Sequence, residues 1–157
     1  MLDMHVENFL IASTVNVVLA QRLVRKICTN CKETHETPQE VVDEIKAVIA
    51  NIEKSKVLMT KDPDVARVVK KFKDEKITLY KGKGCDKCSN TGYKGRLGIF
   101  EVLEVTDKIS HLIIENSATS EIEEVAIEEG MLTLLEDGYL RVLEGETTLS
   151  EVMRVAK

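Results

Sequence analysis

The chain has no tryptophan, and only three phenylalanines and three tyrosines in 157 residues. With 4 % aromatic against 43 % apolar residues, its core must be aliphatic and modest. No stretch reaches the roughly 18 consecutive apolar residues that a membrane-spanning helix requires. Asp3, Glu7 and Asn8 interrupt the first 20 residues, where a secretory leader would carry a basic start and an apolar run. An excess of positive charge is missing too. The net charge is −5, which argues against a generic nucleic-acid binder. No G-x-x-x-x-G-K-[ST] loop is present to cradle phosphates; Gly82 and Gly84 lack that spacing and open no helix. His5, His35 and His111 are far apart and form no Ser/His/acid set. Taken alone, the chain has no credible catalytic centre.

What it does have is four cysteines in two Cys-x-x-Cys pairs, Cys28/Cys31 and Cys85/Cys88, and no others. A two-residue gap lets both sulfurs of a pair turn onto one ion at about 2.3 Å, and two pairs complete a tetrahedral shell with no open position. That is the pattern of structural zinc, not of zinc that activates water. The spacing between the pairs, 53 residues, is far longer than in a compact zinc ribbon, so the intervening segment reads as a small subdomain stapled at its base. Another metal or cluster, two disulfides, or a redox dithiol are the alternatives. The expected cytosolic setting keeps thiols reduced and weighs against the last two. His35, four residues after Cys31, is a possible substitute ligand but reads better as a solvated loop histidine, since the thiolates already fill the shell.

Charge is uneven along the chain. Lys81 to Arg96 carries a balance of +4, and Glu115 to Glu146 a balance of −9. These are two solvated faces, or two ends that meet different partners.

The pattern of elements predicts a mixed α+β chain. Glu7 to Val15 reads as a helix and Val17 to Ile27 as a strand running into the first pair. Both look like the last pieces of a larger domain. Thr37-Pro38-Gln39-Glu40 reads as a capping box opening a helix that buries Val41, Ile45, Val48, Ile49 and Ile52. Asp62-Pro63 opens a second helix, with Val65, Val68, Val69 and Phe72 inward. Ile77 to Lys81 is a short strand. Gly82, Gly84, Gly92 and Gly95 permit positive φ around the thiolates. Leu97 to Val105 is a strand with Leu97, Ile99 and Phe100 buried. A helix follows Thr106, with Ile109, Leu112 and Ile113 on one face. Ser120-x-x-Glu123 reads as a capping box for the next helix, which ends at Gly130. Met131 to Glu144 forms another helix, stopped at Gly145. Thr148-x-x-Glu151 caps the last, with Leu149, Val152 and Val155 inward. No charged residue is expected on the apolar faces of this bundle.

Several stretches together resemble one family. Leu2-Asp3-Met4, Phe9-Leu10-Ile11-Ala12-Ser13 and Val18-Leu19-Ala20-Gln21-Arg22-Leu23-Val24-Arg25 resemble the end of the ATPase domain in secretion ATPases, the motors of type II secretion and type IV pilus assembly. Cys85-Asp86-Lys87-Cys88, Thr91-Gly92-Tyr93-Lys94-Gly95-Arg96 and Gly98-Ile99-Phe100-Glu101 resemble their tetracysteine zinc subdomain. Gly130-Met131, Thr133-Leu134, Asp137-Gly138, Gly145, Thr147-Thr148-Leu149 and Glu151-Val152 resemble their C-terminal helical domain. The resemblance implies residues 1–27 ending a RecA-like ATPase core, 28–104 as the zinc subdomain and 105–157 as the helical domain. It implies a hexameric parent at the cytoplasmic face of the inner membrane, using ATP and magnesium to move a membrane platform protein. The Walker motifs and arginine fingers of such a parent would lie upstream of Met1, so this chain is expected not to hydrolyse ATP by itself. Arg22 and Arg25 are candidates to approach nucleotide or a neighbouring subunit. No nucleic-acid partner is expected. The alternative class is a free-standing Cys₄ module whose basic knuckle binds nucleic acid or an acidic protein.

Overall fold

A computed structural model of the chain describes residues 7–74 and 77–156; His5 and the Leu2-Asp3-Met4 stretch lie outside them. Two antiparallel strand pairs organise the fold. β1 (Val17–Ile27) pairs with β4 (Tyr93–Glu104), and β2 (Lys32–His35) pairs with β3 (Leu79–Gly82). The chain therefore leaves through β1 and β2 and returns through β3 and β4 over the same place. Val17 faces Glu104 and Ile27 faces Tyr93, with a register shift between Arg25 and Ile27. The shift falls just before the first cysteine.

Between β2 and β3 lie α2 (Gln39–Lys54), α3 (Lys56–Lys61) and α4 (Pro63–Asp74). α2 buries Ile45, Ile49 and Ile52, spaced to share one helical face, with Val41 and Val48 half-buried beside them. α4 starts as expected: Asp62 Oδ1 accepts the N–H groups of Asp64 and Val65 at 3.0 Å, and Val65, Val68, Val69 and Phe72 turn inward. Other starts differ from expectation. Pro38, not Thr37, precedes the first helical residue of α2, and the Thr37 hydroxyl donates to the carbonyl of His35 instead. α3 was not legible, because six residues with only Leu58 buried show no periodicity. β2 was missed for a similar reason: Lys-Glu-Thr-His has no apolar alternation, and only pairing with β3 makes it a strand. His35 is thus an exposed strand-end residue rather than a loop residue.

After β4 come α5 (Asp107–Ile114), α6 (Thr119–Glu128), α7 (Leu134–Leu143) and α8 (Leu149–Val155). The Thr106 hydroxyl caps α5 by accepting from Ile109 N–H. Near the amino end, α1 (Asn8–Thr14) packs on α5, where the Ser110 hydroxyl donates to the Ala12 carbonyl at 3.5 Å. The expected box at Ser120 is not formed; α6 begins two residues earlier, at Thr119 after an uncapped Ala118. α7 begins at Leu134, not Met131, on a capping box made by Thr133 and Glu136. Thr148 makes no side-chain cap: its hydroxyl bonds those of Tyr93 and Ser150, and Glu151, the other half of the expected box, is engaged by Arg25.

One aliphatic core runs through the described residues. It joins α2, α4 and β3 to α7, α8 and the inner faces of β1 and β4. Val24, Leu97 and Ile99 point into it from the ribbon. Phe100, expected inside, is 38 % exposed, since alternation along β4 puts it on the face opposite Ile99. Val17, Leu19, Leu23 and Val102 share that exposed face. α7 is the central helix, buried from Asp137 to Leu140 and again at Val142 and Leu143. It packs against α8 at Gly138, where an added Cβ would sit 2.4 Å from Val152 Cγ1.

Two buried carboxylates correct the expectation of a bundle without inward charges. Asp137 (5 % exposed) accepts the Phe100 N–H at 2.9 Å, tying α7 to the outer edge of β4, and its Oδ1 lies 3.3 Å from Arg141 Nε. Burial pushes its carboxyl up, against those two partners. Glu151 (2 % exposed) ties α8 to β1, accepting from the Arg25 backbone N–H at 2.9 Å and its guanidinium at 2.6 Å. The hydrogen bond from the Arg25 side chain, helped by Arg154 and opposed by burial, brings the Glu151 carboxyl from 4.5 down to about 2.

Two outcomes follow. Gly138→Ala should destabilise the chain by about 0.5–2 kcal/mol net, because overpacking against a β-branched neighbour, about 1–3 kcal/mol, outweighs the roughly 0.5–1 kcal/mol that alanine gains in a helix; urea unfolding measures it. A carboxyl lowered on folding stabilises above its unfolded pKa and loses that contribution as pH falls through the folded one. The stability gap between wild type and Glu151→Gln should therefore narrow as pH drops from 4.5 to about 2, with acid effects common to both cancelling. A gap independent of pH over that window would refute the ionised pair.

Candidate metal centre

Both cysteine pairs sit where the strand pairs meet. Cys28 follows β1 and Cys31 precedes β2. Cys85 and Cys88 bracket a single 3₁₀ turn, Asp86–Cys88, between β3 and β4. Their four sulfurs lie within 4.8 Å of one another, all as free thiols. The separations are 3.9 Å for Cys28–Cys85, 3.8 Å for Cys31–Cys88 and 3.7 Å for Cys85–Cys88. Sulfurs at 2.3 Å from a central ion stand about 3.8 Å apart along the edges of a tetrahedron. Those three edges match a tetrahedral metal shell, and the donor set is that of a Cys₄ site. Cys28 and Cys88 are buried, and Cys31 and Cys85 half-buried.

The surrounding donors favour charged sulfur. Gly84 N–H reaches Cys31 Sγ at 3.3 Å, Cys85 N–H reaches Cys88 Sγ at 3.2 Å, and Gly92 N–H reaches the same sulfur at 3.3 Å. Asn30 Nδ2 reaches Cys85 Sγ at 3.4 Å. At Cys88 burial raises the thiol, but the backbone donors outweigh it and bring it to about 6. The Asn30 amide, opposed by burial, lowers Cys85. Burial dominates at Cys31 and pushes it up to about 12. Such N–H donors toward sulfur are what a thiolate shell requires.

Two glycines make the close approach possible. Cys28 N–H donates to the Gly92 carbonyl at 2.9 Å, and Lys83 N–H to the Cys31 carbonyl at 2.9 Å, lacing the two knuckles together. A Cβ on Gly82 would lie 2.0 Å from the Gly92 oxygen, and one on Gly92 would lie 2.5 Å from the Gly82 oxygen. Gly92 also has φ +78°, whereas Gly82, expected to need a positive φ, does not; its role is proximity alone. Sequence reading named all four sulfurs. It missed Asn30, whose signal was its place inside the first Cys-x-x-Cys, and the amides of Gly84 and Gly92, signalled only by their glycines. His35 is not part of the cluster.

The two arginines are placed differently. Arg22 is exposed on β1, opposite Ile99. Arg25 turns to Glu151 within the chain and stacks its guanidinium 4.3 Å from the centroid of the Tyr93 ring.

Comparison with known proteins bears on this arrangement. A family model described as type II/IV secretion system protein matches residues 1–154. The type IV pilus assembly ATPase PilB of Thermus thermophilus is 38 % identical over 151 residues, 96 % of this chain and 14 % of its own length. PilB of Pseudomonas aeruginosa is 37 % identical over 160 residues, 100 % of this chain and 24 % of its own length. The type II secretion system ATPase E of Vibrio cholerae is 38 % identical over 155 residues, 99 % of this chain and 26 % of its own length. The chain thus spans about a quarter or less of the relatives it matches. With a family model matched over 154 residues and such relatives aligned along nearly all of it, the chain belongs to the type II/IV secretion system protein family.

Proposed function

We propose that this chain is the zinc-binding C-terminal portion of a hexameric secretion or pilus-assembly motor ATPase, and that its metal clips the exit of the ATPase core to the helical domain. The observation that carries the metal reading is the sulfur cluster, whose 3.7–3.9 Å edges fit a tetrahedral ion. A bound zinc supplies a fixed crosslink with no open coordination position. Closing a loop between positions 57 apart costs about 4 kcal/mol of chain entropy. Structural zinc contributes on the order of 10 kcal/mol, so coordination wins with a margin.

In this reading residues 1–27 end a RecA-like domain, 28–104 form the zinc subdomain and 105–157 the helical domain. The exposed apolar face of the β1–β4 ribbon supports the first of these, being suited to cover by more of an ATPase core. ATP and magnesium belong to the full-length motor. This chain carries no phosphate-binding loop and does not turn over ATP alone. Arg22, exposed on β1, is the better placed of the two arginines to approach a nucleotide or a neighbouring subunit, since Arg25 is held by Glu151. The motor works peripherally at the cytoplasmic face of the inner membrane, passing core movements as a rigid body to a membrane platform protein. No described helix is long and apolar enough to cross a membrane, which is compatible with that placement.

Elemental analysis with thermal melting, before and after strong chelation, tests the clip. The expected result is about one zinc per chain and loss of cooperative melting once it is removed. A metal-free chain that melts unchanged by chelator would overturn the zinc reading. ATP turnover above that of a Cys28→Ser control would overturn the assignment of chemistry to residues outside this chain.

A further inference from the structure

We infer that Glu151, on the last helix, is a positioning residue for the metal centre, holding the end of β1 through Arg25 so that Cys28 meets the other three cysteines. This rests on the zinc reading of the cluster and adds a residue that lies 123 positions from the first ligand.

The Glu151 carboxylate is saturated. Arg25 N–H reaches Oε2 at 2.9 Å and Arg25 Nη2 reaches Oε1 at 2.6 Å, while Arg154 Nη2 and Nε reach the two oxygens at 2.9 and 3.2 Å. Half of these donors come from one residue of β1, and one is main chain, so the contact fixes the backbone as well as a side chain. The connection before α8 adds two more main-chain bonds. The Thr147 hydroxyl donates to the Arg25 carbonyl at 2.9 Å, and Ile27 N–H donates to the Glu146 carbonyl at 2.8 Å.

These bonds fall where the strand ladder fails. The register of β1 with β4 shifts between Arg25 and Ile27, so residues 146–151 take over the support of this stretch immediately before Cys28. The same turn also holds the strand that leaves the second pair. Tyr93 follows Gly92, whose N–H points at Cys88 Sγ; the Tyr93 ring carries the Arg25 guanidinium, and its hydroxyl bonds Thr148 at 2.9 Å. Both arms of the metal knuckle therefore converge on the α7–α8 connection.

Arg154 separates positioning from mere helix stability, because it bonds the same carboxylate from α8 itself. The zinc-loaded chain is mixed with excess chromogenic chelator, and the rate of zinc transfer is followed for wild type, Glu151→Gln, Thr147→Val and Arg154→Ala. Glu151→Gln and Thr147→Val should release zinc about tenfold faster, the low end of the effect of outer partners on metal sites. Arg154→Ala should stay within about twofold of wild type. Cobalt-loaded Glu151→Gln should show ligand-field bands shifted from wild type, a change that lower helix stability does not cause in a folded protein. Thr147→Val keeps the test decisive if Glu151→Gln does not fold. Release at the wild-type rate by a zinc-bearing Glu151→Gln or Thr147→Val chain would overturn the positioning role alone. A wild-type chain that takes up no zinc would overturn the metal reading before any variant is compared.

Discussion

Bringing Cys28 to Cys85 across 57 positions of sequence is the constraint on which the other features depend. Two strands must run out and two must return side by side, which is the pairing seen in β1–β4 and β2–β3. The backbones must also touch at the crossing. Gly82 and Gly92 meet so closely there that neither position has room for a side chain. Backbone N–H groups are thereby left aimed at sulfur rather than at a ladder partner, which turns a structural necessity into a thiolate-stabilising shell.

The aliphatic core alone would not fix this crossing with much precision. With so few aromatics, the core consists mainly of Ile, Leu and Val from several short elements around α7. Two buried carboxylates supply direction. Asp137 binds an outward N–H of β4, and Glu151 binds the end of β1. A buried charge that loses its partner is strongly unfavourable, so each makes one docking geometry much better than its neighbours. The helical part is thereby keyed to the ribbon at two points.

Much of this was legible in the sequence, but not evenly. The four cysteines that the structure brings within 4.8 Å of one another were read as one group from count and spacing alone, because two Cys-x-x-Cys pairs supply the donor set of a tetrahedral shell. Local signals also survived where the responsible atoms are neighbours: Asp62-Pro63 opens α4, Thr106 caps α5, and Gly130 and Gly145 take positive φ at helix ends. The failures have two physical sources. In a chain that is 31 % charged, Ser/Thr-x-x-Glu recurs often enough that Thr37, Ser120 and Thr148 resembled caps, while the box that forms, Thr133 with Glu136, lay inside a stretch read as continuous helix. Tertiary partners were the other blind spot. Nothing local distinguishes Glu151 as a capping acid from Glu151 as the partner of a residue 126 positions away. Equally, nothing in Lys-Glu-Thr-His marks a strand until β3 lies beside it.

The central claim is that the four cysteines form one closed shell around a single ion. Zinc K-edge X-ray absorption on the zinc-loaded chain examines that shell directly. Four sulfurs at about 2.3 Å, with no lighter scatterer at bonding distance, is the expected result. A shell containing nitrogen or oxygen, or fewer than four sulfurs, would contradict it.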